Sequence, residues 1–106
     1  MKMPKVIADY IALSNQRDAD RAATYFTDDA GIKDEGNVYK GQEEIKKWLK
    51  KSADYNFNIE ILDTCENEDT YLLSAKLTGD FPPPNPVRIM YRFKIKEGKI
   101  DDLFIG

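Results

Sequence analysis

The sequence contains no histidine and a single cysteine, Cys65. One cysteine cannot form an intrachain disulfide or a cysteine-based metal cluster. The lack of histidine removes the commonest transition-metal ligand and every histidine-based catalytic triad. Proton transfer near neutral pH must therefore use carboxylates, tyrosines or lysines. We predict no metal and no other cofactor for this chain.

Long hydrophobic runs are also missing. The N-terminal segment MKMPKVIADYIALSN has Asp9 inside its apolar part and lacks a small-residue cleavage site, so it is a poor signal peptide. No run approaches the length that spans a membrane. The net charge of -3 and the pI of about 5.0 disfavour nucleic acid or an anionic membrane as the main partner. We expect a cytoplasmic protein that binds neither membrane nor nucleic acid.

The chain does contain enough apolar sequence for one core. It has 106 residues, of which 42% are hydrophobic and 33% are charged, a composition typical of a globular protein. Two separate cores of half this size would be too small to be stable. The sequence therefore predicts one domain that spans residues 1–106.

The first half of the chain has the apolar spacing of helices. Apolar residues three and four positions apart predict a helix at the N-terminus, and Asp18 is a typical N-cap for a second, short helix. We expect this second helix to carry Phe26 on its inner side and to end at residues 27–29, before a brief strand over 30–34. The third helix begins at Gly41, with acidic residues in its first turn and lysines towards its end.

After the third helix the apolar period changes to two, which is typical of half-buried strands. The segment FPPPNP at 81–86 predicts a loop, because proline cannot donate to a sheet ladder. The alternation covers residues 55–62 and 87–96, residues 70–78 are expected to form the return strand between them, and a last strand ends at residues 105–106.

Helices that precede hairpin-connected strands indicate an α+β fold. We predict a cone-shaped roll in which a curved antiparallel sheet wraps around the N-terminal helices. The wide end of such a cone is where a ligand pocket would open.

Several short motifs then resemble those of the nuclear transport factor 2-like superfamily and of its SnoaL-like group, with a more distant similarity to ketosteroid isomerase. The resemblance covers nearly the whole chain and implies a cystatin-like fold, which hosts unrelated activities. The motifs are F-x-x-D-A at 26–30, D-E-G at 34–36, Y-x-G at 39–41, I-x-x-W at 45–48, G-D-F-P at 79–82, Y-R-F at 91–93 and E-G-K-I at 97–100.

The resemblance to ketosteroid isomerase implies roles for individual residues. That enzyme uses a tyrosine on its first helix as an oxyanion donor, an aspartate at the end of its first strand as the base, and a protonated aspartic acid on a late strand as a second donor. The matching positions here are Tyr10, Asp34 and Ile89. Since isoleucine cannot donate a hydrogen bond, the oxyanion site would lack one donor.

Each candidate also has a structural interpretation, which the sequence leaves open. Asp34 could bond backbone amides in a D-E-G-N turn, and Tyr10 could be an ordinary core residue. Apolar and aromatic side chains could line a ligand pocket, fill the core, or do both. These predicted ligand-binding residues are Phe26, Tyr39, Trp48, Phe57, Ile89, Tyr91 and Phe93.

Three functions of different classes follow. The first is a small cyclase-like or isomerase-like enzyme with Asp34 as general base and Tyr10 as donor. The second is a protein that binds a small hydrophobic ligand without turnover, and the third is an interaction domain with a packed interior. Arg88, Met90 and Arg92 share the predicted outer face of one strand. The family resemblance implies a homodimer through that face.

Overall fold

A computed structural model describes residues 3–34, 36–54, 56–80 and 85–106. Within these ranges it has the predicted α+β architecture, with three helices and six strands in the order ααββαββββ. The elements are α1 Lys5–Asn15, α2 Ala19–Ala23, β1 Phe26–Asp34, β2 Asn37–Lys40, α3 Gly41–Ser52, β3 Phe57–Asn67, β4 Thr70–Gly79, β5 Val87–Lys96 and β6 Lys99–Ile105.

The six strands form one curved sheet in the order β2-β1-β6-β5-β4-β3. Neighbouring strands are antiparallel, except that β1 runs parallel to β6. The register shifts between Ile61 and Asp63 in β3, which leaves Leu62 without a partner on β4. Bulges of this kind bend a strand and increase its twist, and this one helps the sheet to curve around the helices.

The region between α1 and α3 differs from the sequence prediction in two ways. The second helix ends at Ala23 rather than after Phe26, and residues 27–29 lie inside β1. The physical reason is pairing with a distant strand, since Phe26 is opposite Ile100 of β6. Strand β2 was not predicted, and it forms a hairpin with β1 through Gly36, whose φ of 81° favours glycine.

Other predicted features are confirmed. The Asp18 side chain accepts a hydrogen bond from the Arg21 amide at 3.3 Å and caps α2. Helix α3 begins at Gly41, with two glutamates in its first turn and two lysines in its last. Strand β5 has the predicted bounds. Most of the predicted proline-rich loop, residues 81–84, lies outside the described residues.

The core lies between the helices and the inner face of the sheet. Its fully buried large side chains come from α1, α3 and the strands β1, β4, β5 and β6. Helix α1 is tied to the edge strand β3 by Asn15, whose amide oxygen accepts from Ile59 N at 2.7 Å and whose Nδ2 donates to Ile59 O at 3.1 Å. Among the described residues, no helix combines the length and the apolar character needed to cross a membrane.

Candidate functional site

A cavity of about 690 Å³ opens between the helices and the inner face of the sheet. This volume is within the usual range of small-molecule sites, roughly 300–1,000 Å³. The two predicted catalytic residues and five of the predicted ligand-binding residues line it: Tyr10, Asp34, Tyr39, Trp48, Phe57, Ile89 and Tyr91.

The other two predicted ligand-binding residues, Phe26 and Phe93, are not among those that line the cavity. They are 1% and 0% exposed and pack edge-on against the Tyr10 ring, with centroids 5.5 Å and 5.9 Å from it. They therefore belong to the core behind Tyr10. The sequence pattern predicted Phe26 on the inner side of a helix and Phe93 at an apolar position of a strand, but residue spacing could not separate a cavity wall from the layer beneath it.

Asp34 is the last residue of β1 and is half-buried at the cavity. Trp48 of α3 donates from its indole Nε1 to Asp34 Oδ2 at 3.2 Å. Because indole nitrogen is only a donor, this contact orients the carboxylate without competing for a proton. Trp48 also lies beside Tyr39, with ring centroids 6.1 Å apart, so α3 and β2 together position the acid.

Two tyrosines next to Asp34 are held in their protonated form. Burial raises the pKa of Tyr10 well above its usual range, and the charge of Asp34 raises it further. Burial also raises the pKa of Tyr91, with smaller contributions from Tyr10 and Asp34. Both phenols are therefore hydrogen-bond donors at neutral pH, and both are close enough to the Asp34 carboxylate for its charge to raise their pKa.

Ser14 lies one helical turn after Tyr10 and also lines the cavity. Its hydroxyl lowers the pKa of Tyr10, so the two groups are neighbours. Yet Ser14 Oγ is buried and has no partner with hydrogen-bonding geometry among the described residues. The wall beside Tyr10 thus offers a polar atom that a bound ligand or a water molecule would satisfy.

Arg17 and Lys51 border the cavity and were not predicted as site residues. Arg17 follows α1 and Lys51 is in the last turn of α3, so no local sequence pattern links them. Both side chains are exposed, and neither forms a salt bridge with another described residue. They place two positive charges beside a cavity that Asp18 and Asp34 also line, and of these two acids Asp18 is paired with Arg21 at 4.0 Å.

A family model described as the SnoaL-like domain matches residues 7–103 of the chain. A comparison with curated protein sequences finds no match. The family model thus extends from within α1 to within β6 and includes every predicted site residue.

Solved structures share the fold. A candidate polyketide cyclase from Sinorhizobium meliloti is 30% identical, with a TM-score of 0.92 over 98% of this chain and 95% of that chain. A cystatin-fold protein from Novosphingobium aromaticivorans is 21% identical, with a TM-score of 0.82 over 100% and 98%. A protein from Catenulispora acidiphila with a ketosteroid isomerase-like fold, solved with trimethylamine, is 17% identical, with a TM-score of 0.87 over 99% and 86%. The last two similarities bear on the fold alone.

Proposed function

Because the chain belongs to the SnoaL-like domain family, we propose that it binds a small, largely apolar carbonyl compound and that Asp34 transfers a proton on it. The observation that carries this proposal is the placement of Asp34. Its carboxylate lies at the cavity, accepts from the Trp48 indole, and has two protonated tyrosines nearby. The similarity to a candidate polyketide cyclase supports a substrate of this class.

The proposed reaction begins when Asp34 takes a proton from the carbon next to the carbonyl. The C–H bond breaks, an O–H bond forms on the carboxyl group, and the electron pair moves to the carbonyl oxygen as an enolate. Tyr10 donates a hydrogen bond to that oxygen. Asp34 then returns the proton to another carbon in an isomerisation, or to the alkoxide formed when the enolate carbon attacks a second carbonyl in a cyclisation.

Binding without turnover is the second candidate, and Ile89 favours it. The position that resembles the second acidic donor of ketosteroid isomerase carries an alkyl side chain, and this side chain lines the cavity. A missing donor of this type typically lowers the rate by about 10²–10³. Such a loss would leave the affinity for an apolar carbonyl compound largely intact.

Both candidates predict that a planar ketone stabilises the fold. A ligand at 100 times its Kd adds about 2.7 kcal/mol, which for a domain of this size raises the melting temperature by on the order of 10 °C. Thermal unfolding in the presence of a panel of planar ketones measures this shift. We include each ketone with and without a carboxylate, because Arg17 and Lys51 should favour the negatively charged member.

The control for this screen is a pair of tryptophan substitutions in β5. Ile89→Trp fills part of the cavity and should reduce the ligand-induced shift, whereas Lys94→Trp places the same side chain at an exposed position. If no ketone shifts the melting temperature of the wild-type protein, both candidate functions are wrong and a packed interaction domain becomes the better interpretation.

We also propose that the protein forms a homodimer through the outer face of the sheet. Met90 and Leu72 are 44% and 37% exposed on that face. Arg92 stacks on the Phe104 ring with its guanidinium carbon 5.0 Å from the centroid. Large apolar side chains on an exposed sheet face are typical of a protein contact, and a two-fold axis would bring the same face of each copy together.

Met90→Asp tests this interface. Burial of an unpaired carboxylate on each copy costs several kcal/mol, so the dissociation constant should rise by at least on the order of 100-fold. Sedimentation velocity should then show monomer where the wild type shows dimer. Ala12→Asp, which adds the same charge at an exposed position on α1, should remain dimeric. A wild-type protein that sediments as a monomer would rule out the dimer.

A further inference from the structure

The sheet register places Tyr91 in the same row as Asp34. Asp34 of β1 is opposite Ile105 of β6, and Ile105 is in turn opposite Tyr91 of β5. All three side chains line the cavity. The row therefore carries a carboxylate, an alkyl group and a phenol on three adjacent strands. The backbones of Asp34 and Tyr91 are two strand spacings apart, which is roughly 10 Å.

Ile89 lies outside this row. It is two residues from Tyr91 along β5, which moves it by roughly 7 Å along the strand. Between them, Met90 exchanges hydrogen bonds of 2.9 Å with the backbone of Gly106, one residue beyond Ile105. An acid at position 89 would thus lie in the next row along the strand, and not in the row that contains Asp34. Tyr91 is the residue of β5 that is level with the candidate base.

Tyr91 also meets the chemical requirements of a donor. It is 4% exposed, and its hydroxyl has no hydrogen bond to another residue in the described part of the chain. Its ring centroid lies 5.8 Å from that of Phe93, and the Phe93 centroid in turn lies 5.9 Å from that of Tyr10. Burial, Tyr10 and Asp34 all raise the pKa of Tyr91, which keeps the phenol protonated at neutral pH.

We propose that Tyr91 is a second catalytic residue, which donates its phenolic hydrogen bond to the enolate oxygen alongside Tyr10 and so supplies the donor that Ile89 lacks. This inference rests on the proposed function. It also narrows the substrate to an enolisable ketone whose oxygen lies between the two tyrosines while its acidic C–H bond faces Asp34. No further group is needed, because the proton moves only between carbon and Asp34.

Kinetics with an activated ketone test the proposal. Tyr91→Phe keeps the ring that packs on Phe93 and removes only the hydroxyl. We expect kcat to fall by about 10²-fold with little change in KM. Tyr25→Phe, which changes a half-buried tyrosine outside the cavity, should retain wild-type kcat. If Tyr91→Phe and Tyr25→Phe have the same kcat, Tyr91 is a core residue and the proposal is overturned.

A binding experiment separates this proposal from the proposed function. The phenolate of 4-nitrophenol carries its charge on one oxygen, as an enolate does, and its absorbance reports whether it is ionised. Asp34→Asn serves as the background, because its neutral amide mimics the base after it has taken the proton. In that background, Tyr91→Phe should weaken phenolate binding at least 10-fold and raise the pKa of the bound phenol.

This measurement does not require turnover. If the wild type converts no ketone but Tyr91→Phe still weakens phenolate binding, the proposed enzymatic function fails while Tyr91 remains a donor into the cavity. Equal phenolate affinity with and without the Tyr91 hydroxyl overturns the inference. Absence of phenolate binding in the Asp34→Asn background also overturns it, because a cavity with both Tyr10 and Tyr91 as donors should bind the phenolate oxygen.

Discussion

Asp34→Asn should lower the turnover of an activated ketone by on the order of 10³-fold, because an amide cannot accept the substrate proton. The substitution is nearly isosteric, and the amide oxygen can still accept the hydrogen bond that Trp48 Nε1 donates at 3.2 Å. It also removes a charge from a half-buried position. The melting temperature should therefore stay the same or rise. Single-turnover kinetics and thermal unfolding measure the two effects separately.

The matched control is Asp29→Asn, which makes the same chemical change at an exposed position in the same strand. It should retain wild-type turnover. A wild-type rate in Asp34→Asn would show that another group removes the proton. A lower rate accompanied by a lower melting temperature would instead point to Asp34 as a structural residue of the β1–β2 hairpin. Only the loss of rate with an intact fold supports the base role.

Features set by local patterns were predictable from the sequence. Strand β5 has an apolar residue at every second position, with charged residues between them except at Met90, and its bounds match the prediction. Helix α3 has a start signal at Gly41 and charges that suit its dipole. The family motifs predicted the overall topology, and the match of the SnoaL-like family model to residues 7–103 confirms the resemblance to that family. Local propensity and the family pattern point to the same fold, which is why the prediction succeeded.

Features set by long-range pairing were not predictable from the sequence. Phe26 starts a strand because it pairs with Ile100, more than seventy positions away. The parallel pairing of β1 with β6 is equally non-local, and it brings Asp34 level with Ile105 and Tyr91. Sequence comparison with ketosteroid isomerase pointed to Ile89 because motifs preserve order along the chain. The cross-strand row points to Tyr91, and it depends on register, which the chain order does not determine.

Phe93→Ala should lower the free energy of unfolding by about 3–5 kcal/mol, the usual cost of removing a fully buried phenylalanine. Phe93 is 0% exposed and packs against both Tyr10 and Tyr91. This loss is a large part of the 5–15 kcal/mol that a domain typically has. Phe93→Leu, which keeps most of the volume, provides a milder variant whose unfolding remains measurable by urea titration.

Phe57→Ala is the matched comparison, because both phenylalanines come from strands and both were predicted to bind ligand. Phe57 is half-buried and lines the cavity, so its removal takes less surface out of the core. We expect it to cost about 1–2 kcal/mol, but to reduce the ligand-induced shift of the melting temperature more than Phe93→Leu does. An equal loss of stability in Phe57→Ala and Phe93→Ala would mean that Phe57 is packed as tightly as the core. The cavity would then be too closed to hold a substrate, and only an interaction role would remain for the domain.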